Sequence, residues 1–295
     1  MLKLENVSKV YTLGAFSGRT LRAVRNVSFE VKPGEVVSLI GESGSGKSTV
    51  GRMILRLSSI SEGKIGFDGD DITRLRGAAL KGYYRKVQGV FQDPFSSYNP
   101  IFHVDHVFEN IRKSYFPQVA ASEWVGRVEA SLRSVNLDPP LVLGRYPHQL
   151  SGGQLQRVLV ARALLLDIRI LVADEIISML DASTRVDVLN LLAELKAKGL
   201  GIVFVTHDLS LGNYISDKTI ILRYGAVVEM GATEKVFGDP RHPYTKSLLS
   251  AVPQLHHRWE DEGFGDTSFA VEPPLSRGEA PALVVVDDEH LVASV

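Results

Sequence analysis

The stretch Gly41-Glu42-Ser43-Gly44-Ser45-Gly46-Lys47-Ser48 constrains this chain more than any other. It fits the pattern G-x-x-x-x-G-K-[ST], and its neighbours supply the context the pattern needs. Val36–Ile40 before it is a near-continuous apolar run, as a strand buried on both faces requires, and Ser48–Leu57 after it carries a helical pattern. Glycines let a backbone wrap closely around phosphate, so that successive N–H groups point at its oxygens. The helix that follows adds its positive N-terminal end. Residues Gly41 to Thr49 are therefore expected to cradle a nucleotide. Lys47 reaches its outer phosphates, and the Ser48 hydroxyl binds Mg²⁺.

A second feature fits the first. Ile170-Leu171-Val172-Ala173 is an apolar strand that ends in Asp174-Glu175. In α/β sheets ligands bind at the carboxyl ends of the strands, which places Asp174 beside the metal. Glu175, one residue on, is the expected general base for an attacking water. Without the glycine-rich loop, two acidic residues after a strand would read as a solvated turn.

Strand patterns fill the first 40 residues: Leu2–Val7 and Leu21–Val31 alternate apolar and polar positions, and Lys32-Pro33-Gly34-Glu35 makes a turn. Gly63–Phe67 is a short strand ended by Asp68-Gly69. Helical periodicity then dominates between Asp93 and Leu166, notably in Glu123–Val135 and Gln154–Leu166, with Pro94, Pro100, Pro117, Pro139, Pro140 and Pro147 separating the helices. Strands return at Ile170–Ala173 and Ile202–Thr206, with a helical Arg185–Lys198 between them. Ile220–Leu222 and Val227–Glu229 form an edge hairpin around Tyr224-Gly225. The expected fold is α/β: a mixed-sheet core with an antiparallel β subdomain, residues 1–92 and 167–238, and an inserted α-helical subdomain, residues 93–166. From Asp239 the chain is Pro-rich and reads as irregular. Residues 239–295 are expected to form a C-terminal extension, of which 256–281 are acidic, glycine-containing and flexible.

Charge and composition remove several classes. Lys+Arg total 33 against 34 Asp+Glu, so there is no basic excess and no nucleic-acid partner is expected. The chain has no cysteine, which excludes disulfides, cysteine-ligated zinc and iron–sulfur clusters. The first residues, Met-Leu-Lys-Leu-Glu-Asn, lack a secretory pattern, and no run approaches the roughly 20 apolar residues needed to span a bilayer. A membrane role would come through another chain.

Leu150-Ser151-Gly152-Gly153-Gln154 narrows the reading further. Ser151-Gly152-Gly153 presents hydroxyl and N–H donors at the start of a helix beginning near Gln154, a second anion-binding end. With the phosphate loop, Asp174-Glu175 and His207 in this order and spacing, residues 1–250 resemble the ATP-binding cassette (ABC) family of transporter ATPases. The resemblance implies the family's P-loop NTPase fold with a RecA-like core, and ATP and Mg²⁺ as ligands. It also implies that two ATPase subunits sandwich two nucleotides head to tail. Ser151, Gly152, Gly153, Gln154 and Asp181 would then contact, in trans, the nucleotide held by the other subunit. Gln92 matches the glutamine that touches Mg²⁺ and water, His207 the histidine that contacts the γ-phosphate, and Tyr11 the aromatic that stacks on adenine. Ile176 stands where the family usually has proline, which bears on how Glu175 is held and hence on the hydrolysis rate.

Phe91–Pro100 and Gly238–Lys246 are similar to the dipeptide/oligopeptide importer branch, which also includes nickel and oligosaccharide importers. That branch implies a second ABC ATPase, a paralogue rather than a copy, together with two transmembrane permease subunits and an extracytoplasmic solute-binding protein. The chain would sit at the cytoplasmic face of the membrane, with the stretch near Asp93–Phe116 as its docking surface. Rival readings are an exporter ATPase, a soluble mechanical ATPase of translation or DNA repair, and a weakly hydrolysing regulatory subunit. A single cassette without heptads or cysteine disfavours the mechanical class, and Ile176 is what keeps the regulatory reading open.

Overall fold

A computed structural model of the protein describes residues 1–13, 19–251, 280–287 and 289–294. The chain opens with strands β1 (Leu2–Leu13), β2 (Arg19–Val31) and β3 (Val36–Ile40), helix α1 (Lys47–Ile54), strands β4 (Glu62–Phe67) and β5 (Asp70–Asp71), helix α2 (Gly77–Tyr84) and strand β6 (Val87–Val90). Helices α3 (Asp105–Tyr115), α4 (Ala121–Arg133), α5 (Pro139–Val142) and α6 (Gly152–Leu164) follow. Strand β7 (Ile170–Asp174), helix α7 (Ala182–Ala197), strand β8 (Gly201–Thr206), helix α8 (Leu209–Ile215) and strands β9 (Lys218–Arg223) and β10 (Ala226–Ala232) come next. Helices α9 (Thr233–Gly238) and α10 (Pro243–Ser250) and strands β11 (Leu283–Asp287) and β12 (His290–Ala293) complete it.

These elements form two compact units. The first comprises Val31–Glu35 and Arg74–Phe204, with Met1; the second comprises Leu2–Glu30, Val36–Thr73 and Val205–Val295.

In the first unit β6 and β7 pair in parallel, from Val87↔Ile170 to Val90↔Ala173, and β8 lies beside β7. All five residues of β7 are buried, which explains its unbroken apolar run. The inserted helices pack on each other through large side chains: Trp124 of α4 and Phe108 of α3 are both 2% exposed, and the Phe116 ring lies 5.5 Å from that of Trp124. Ser131 of α4 donates to the Ala161 carbonyl of α6 at 2.7 Å, so the α4–α6 contact is polar as well as apolar. The expected 93–166 helical stretch falls inside this unit.

The second unit holds two sheets. One has the order β2-β1-β4-β5, with β1 and β4 antiparallel in the register Leu2↔Phe67 and Leu4↔Ile65. Leu2, Leu4, Ile65 and Phe67 are buried while Lys3 is exposed, the period-two alternation of a one-sided sheet. In the other, β3 pairs with β9 in parallel (Ile40↔Ile221), and β9, β10, β12 and β11 follow as antiparallel neighbours. Parallel and antiparallel pairs thus coexist, as the mixed-sheet expectation required.

Two expectations need correcting in this unit. The β9–β10 hairpin is not an edge, because β12 pairs antiparallel with β10 through Glu229↔Val292 and Met230↔Leu291. The chain after Asp239 is not simply irregular either. Pro243 is the first residue of α10, where its missing N–H removes a bond the helix would not make. Tyr244 of that helix, Val236 and Ala293 join Ile40, Leu209, Ile221 and Val228 in one buried cluster. The stretch 252–279, which holds nearly all of the 256–281 segment expected to be flexible, lies outside the described residues.

Candidate functional site

In the second unit the phosphate loop runs from the end of β3 to the first residue of α1, as its pattern requires. Lys47 is only 4% exposed, and its ammonium donates to the carbonyls of Gly41 at 2.6 Å and Glu42 at 2.8 Å. The loop is closed by Ser45 N–H donating to the Glu42 carbonyl at 3.1 Å, and braced by Gly225 N–H donating to the Ser45 carbonyl at 2.9 Å. Gly46 has φ +104°, and a Cβ there would lie 2.5 Å from the Ala23 carbonyl oxygen. Only glycine fits that position. The residue before α1, Gly46, has no side chain to cap the helix, and a helix N-terminus carries the positive end that favours anions. Ser48 and Thr49 are half-buried in the first turn, and Glu42, Ser43 and Gly44 are exposed.

Tyr11, near the end of β1, is half-buried, with its hydroxyl 3.5 Å from the Ser58 hydroxyl and the Lys9 ammonium 4.9 Å from its ring centre. His207 follows β8 and is exposed. Its place is fixed from both sides. Thr206 accepts from the Asp208 N–H at 3.0 Å, and Asp208 caps α8 by accepting from the Leu211 N–H at 3.2 Å.

In the first unit the pairing Val90↔Ala173 brings the ends of β6 and β7 level, so Gln92 and the pair Asp174-Glu175 leave neighbouring strand tips. Asp174 is buried and Gln92 exposed. Glu175 has φ +52°, a left-handed conformation that costs a residue with a side chain about 1–2 kcal/mol. The turn that imposes it is well held. Ser178 donates both its N–H (3.1 Å) and its hydroxyl (2.9 Å) to the Glu175 carbonyl, and Ile176 and Ile177 are buried. Burial of these isoleucines anchors the turn where proline would otherwise stiffen it.

The helix expected to begin near Gln154 begins at Gly152, because Ser151 is its N-cap. Ser151 Oγ accepts from the Gln154 N–H at 3.2 Å, and the Gln154 side chain accepts from the Ser151 N–H at 2.9 Å, a reciprocal capping box. Gly153 lies against α7: a Cβ there would come within 2.2 Å of the Thr184 methyl. Gly153→Ala is therefore expected to destabilise the protein by about 1–3 kcal/mol, read as a drop of several degrees in thermal melting.

Asp181 caps α7, accepting from the Ser183 hydroxyl at 2.6 Å and from the Thr184 N–H and hydroxyl at 3.0 and 2.8 Å. Those donors, the Ser183 hydroxyl first, hold its carboxyl well below the usual carboxylate range. A depressed folded-state value means that the cap is complete at neutral pH and is lost only as pH falls through that value.

Two residues that sequence reasoning passed over tie the stretch after β6 to α6. Gln156 of α6, fully buried, donates to the Phe91 carbonyl at 3.2 Å, and Tyr98 donates its hydroxyl to the Leu155 carbonyl at 3.1 Å. Burial pushes the Tyr98 phenol up, so it stays a donor at any physiological pH. A glutamine two residues beyond the Ser151–Gln154 box, on the apolar face of a helix, was a visible signal for the first of these.

Among the described residues no cluster of three or more His, Asp or Glu would hold a metal alone, and no helix is long and apolar enough to cross a membrane.

The family model for the ABC transporter matches residues 24–178, and that for the oligopeptide/dipeptide transporter C-terminal region matches residues 228–272. An oligopeptide transport ATP-binding protein, OppF, of Streptococcus mutans is 41% identical over 256 residues, covering 86% of this chain and 82% of the relative. A putative peptide import ATP-binding protein of Brucella ovis is 40% identical over 265 residues, covering 89% and 80%. Among solved structures, a dimeric ATP-binding cassette in a post-hydrolysis state bound to ADP and Pi superposes with TM-score 0.70 at 32% identity, covering 79% of this chain and 99% of that one. The phosphate loop, the Asp174-Glu175 strand and the Ser151 helix cap thus occur together in a chain that belongs to the ABC transporter family.

Proposed function

We propose that this chain is the ATP-hydrolysing subunit of an importer of di- and oligopeptides, driving transport through separate membrane subunits. One observation carries the peptide assignment: residues 228–272 match the oligopeptide/dipeptide transporter C-terminal region, on a chain whose phosphate loop is complete.

The roles divide by chemistry. Lys47 and the N–H groups of residues 41–49 hold the phosphates of ATP, and Tyr11 stacks on adenine. Ser48, Gln92 and Asp174 offer oxygen donors of the kind Mg²⁺ prefers. Mg²⁺ is commonly held by one or two carboxylates together with the substrate's own phosphates, a set to which Asp174 would contribute. When bound, that ion neutralises charge on the transferred phosphoryl group. Glu175 takes a proton from water as the water oxygen bonds to the γ-phosphorus and the bond to the ADP oxygen breaks. His207 donates to the γ-phosphate.

Ser151, Gly152, Gly153, Gln154 and Asp181 serve the nucleotide of a second ATPase subunit, a paralogue of this one. The capped start of α6 supports that role, since its exposed Ser151 leads an N-terminal helix end. The complete machine then has two ATPases at the cytoplasmic face, two permease subunits, and a solute-binding protein outside.

Uptake of labelled di- and oligopeptides by cells lacking this gene is expected to fall to background. The intact chain restores it and a Lys47→Ala chain does not. Loss of nickel or oligosaccharide uptake with peptide uptake intact would reject the solute assignment.

A further inference from the structure

A buried polar cluster in the second unit has no part in the chemistry above, yet it ends on the phosphate loop. Glu229 of β10 is fully buried, an expensive place for a carboxylate unless its lone pairs are filled. They are filled. One oxygen accepts from the Arg241 N–H at 2.8 Å and lies 2.7 Å from His290 Nε2; the other accepts from the His242 N–H at 3.0 Å. His290 belongs to β12, and His242 precedes α10. His242 Nδ1 then accepts from the Tyr244 N–H at 3.1 Å, capping α10. The last contact leaves the cluster: the Tyr244 hydroxyl accepts from the Glu42 N–H at 3.2 Å.

The peptide it grips is a special one. The Gly41 carbonyl and the Glu42 N–H belong to the same peptide group. Lys47 holds the carbonyl at 2.6 Å, and Tyr244 holds the N–H on the other side. A peptide group is planar, so fixing both ends fixes the orientation of the loop's first turn. Tyr244 itself has little freedom. Its ring is buried, with the Arg223 guanidinium 4.7 Å from its centre, and burial raises its phenol above the usual value, so the hydroxyl stays neutral. Of these two contacts, the one from Tyr244 does not depend on where the Lys47 ammonium is placed.

We propose that Tyr244 is a positioning residue for the phosphate loop, through which the Glu229–His242–His290 cluster sets the affinity for nucleotide. The inference rests on reading residues 41–48 as the ATP site, so its test has an arm that needs no nucleotide.

Hydrogen exchange of the Glu42 amide in the nucleotide-free full chain is expected to quicken about threefold to tenfold in Tyr244→Phe, the loss of one hydrogen bond. Equilibrium binding of ATP by the same variant should weaken by a similar factor, with the effect falling on KM more than on kcat. Glu229→Gln turns an acceptor oxygen into a donor facing a backbone N–H, and should weaken ATP binding in the same direction. The double variant should bind no more weakly than the worse single one, because both act along one path. Unchanged Glu42 exchange in Tyr244→Phe, or faster exchange with unchanged ATP affinity while Lys47→Ala abolishes binding, overturns the proposal. So do fully additive effects of the two substitutions. ATP binding that survives Lys47→Ala instead overturns the nucleotide-site reading, and the affinity claim with it, even where the exchange result stands.

Discussion

Glu175→Gln is expected to leave ATP bound and to cut its hydrolysis by about a hundredfold to ten-thousandfold, the usual worth of a positioned general base. Glutamine has nearly the same shape but cannot take the proton from water. Glu175 is held through its own carbonyl by the Ser178 N–H and hydroxyl, and the buried Ile176 and Ile177 anchor the turn beyond it. None of these involves the carboxylate. The φ of +52° is likewise a property of the turn, which glutamine inherits at about the same strain. Melting temperature should therefore stay close to that of the unaltered protein, and turnover alone should collapse. If two subunits sandwich ATP, the blocked enzyme should also accumulate as an ATP-dependent dimer on size-exclusion chromatography. Unchanged turnover would reject Glu175 as the base. It would favour a weakly hydrolysing regulatory subunit, the reading that Ile176 left open.

The parts of the site that the sequence displayed are those made by contiguous residues. The loop from Gly41 to Ser48 is one such stretch, and its strand and helix neighbours lie where the pattern demands. The Asp174-Glu175 tip of β7 is another. The helical pattern places the start of α6 near Gln154, about two residues after its actual start at Gly152. Yet Ser151 with Gln154 three residues on is a capping-box pattern, and the structure shows that box formed. After Asp239 the Pro-rich sequence reads as irregular, whereas Pro243 starts a helix. The pairing of β12 with β10 joins residues some sixty positions apart, and no local pattern encodes such a partner. Buried polar partners were the least legible of all. The Gln156 bond to Phe91 and the acceptors filled around Glu229 exist only once distant segments meet. One hint was available: a glutamate between Val228 and Met230, inside an apolar strand, is a charge that has to be matched.

Lys47→Ala is expected to weaken ATP binding by at least about a hundredfold and to abolish hydrolysis at cellular ATP levels. A charge-assisted hydrogen bond contributes about 1.5–3 kcal/mol, and the residue's pattern assigns it two phosphates. The experiment carries a complication that the structure makes explicit. In the structure the Lys47 ammonium bonds the Gly41 and Glu42 carbonyls, from a position 4% exposed. Truncation removes those ties as well, so a loss of binding could reflect a collapsed loop rather than a missing phosphate contact. Two measurements separate the causes. Melting without nucleotide reports the loop: leaving the Gly41 carbonyl short of its ammonium partner should cost about 1–3 kcal/mol, a decline of several degrees. Lys47→Arg keeps the charge but replaces a compact ammonium by a rigid fork that the two closely set carbonyls were not shaped to receive. If charge alone is required, the arginine protein binds ATP nearly as well as the original. If the position demands a point charge able to swing from carbonyl to phosphate, arginine binds almost as poorly as alanine. The second result is the one expected, because the ammonium is buried against two adjacent carbonyls, and a guanidinium is a wider, planar group.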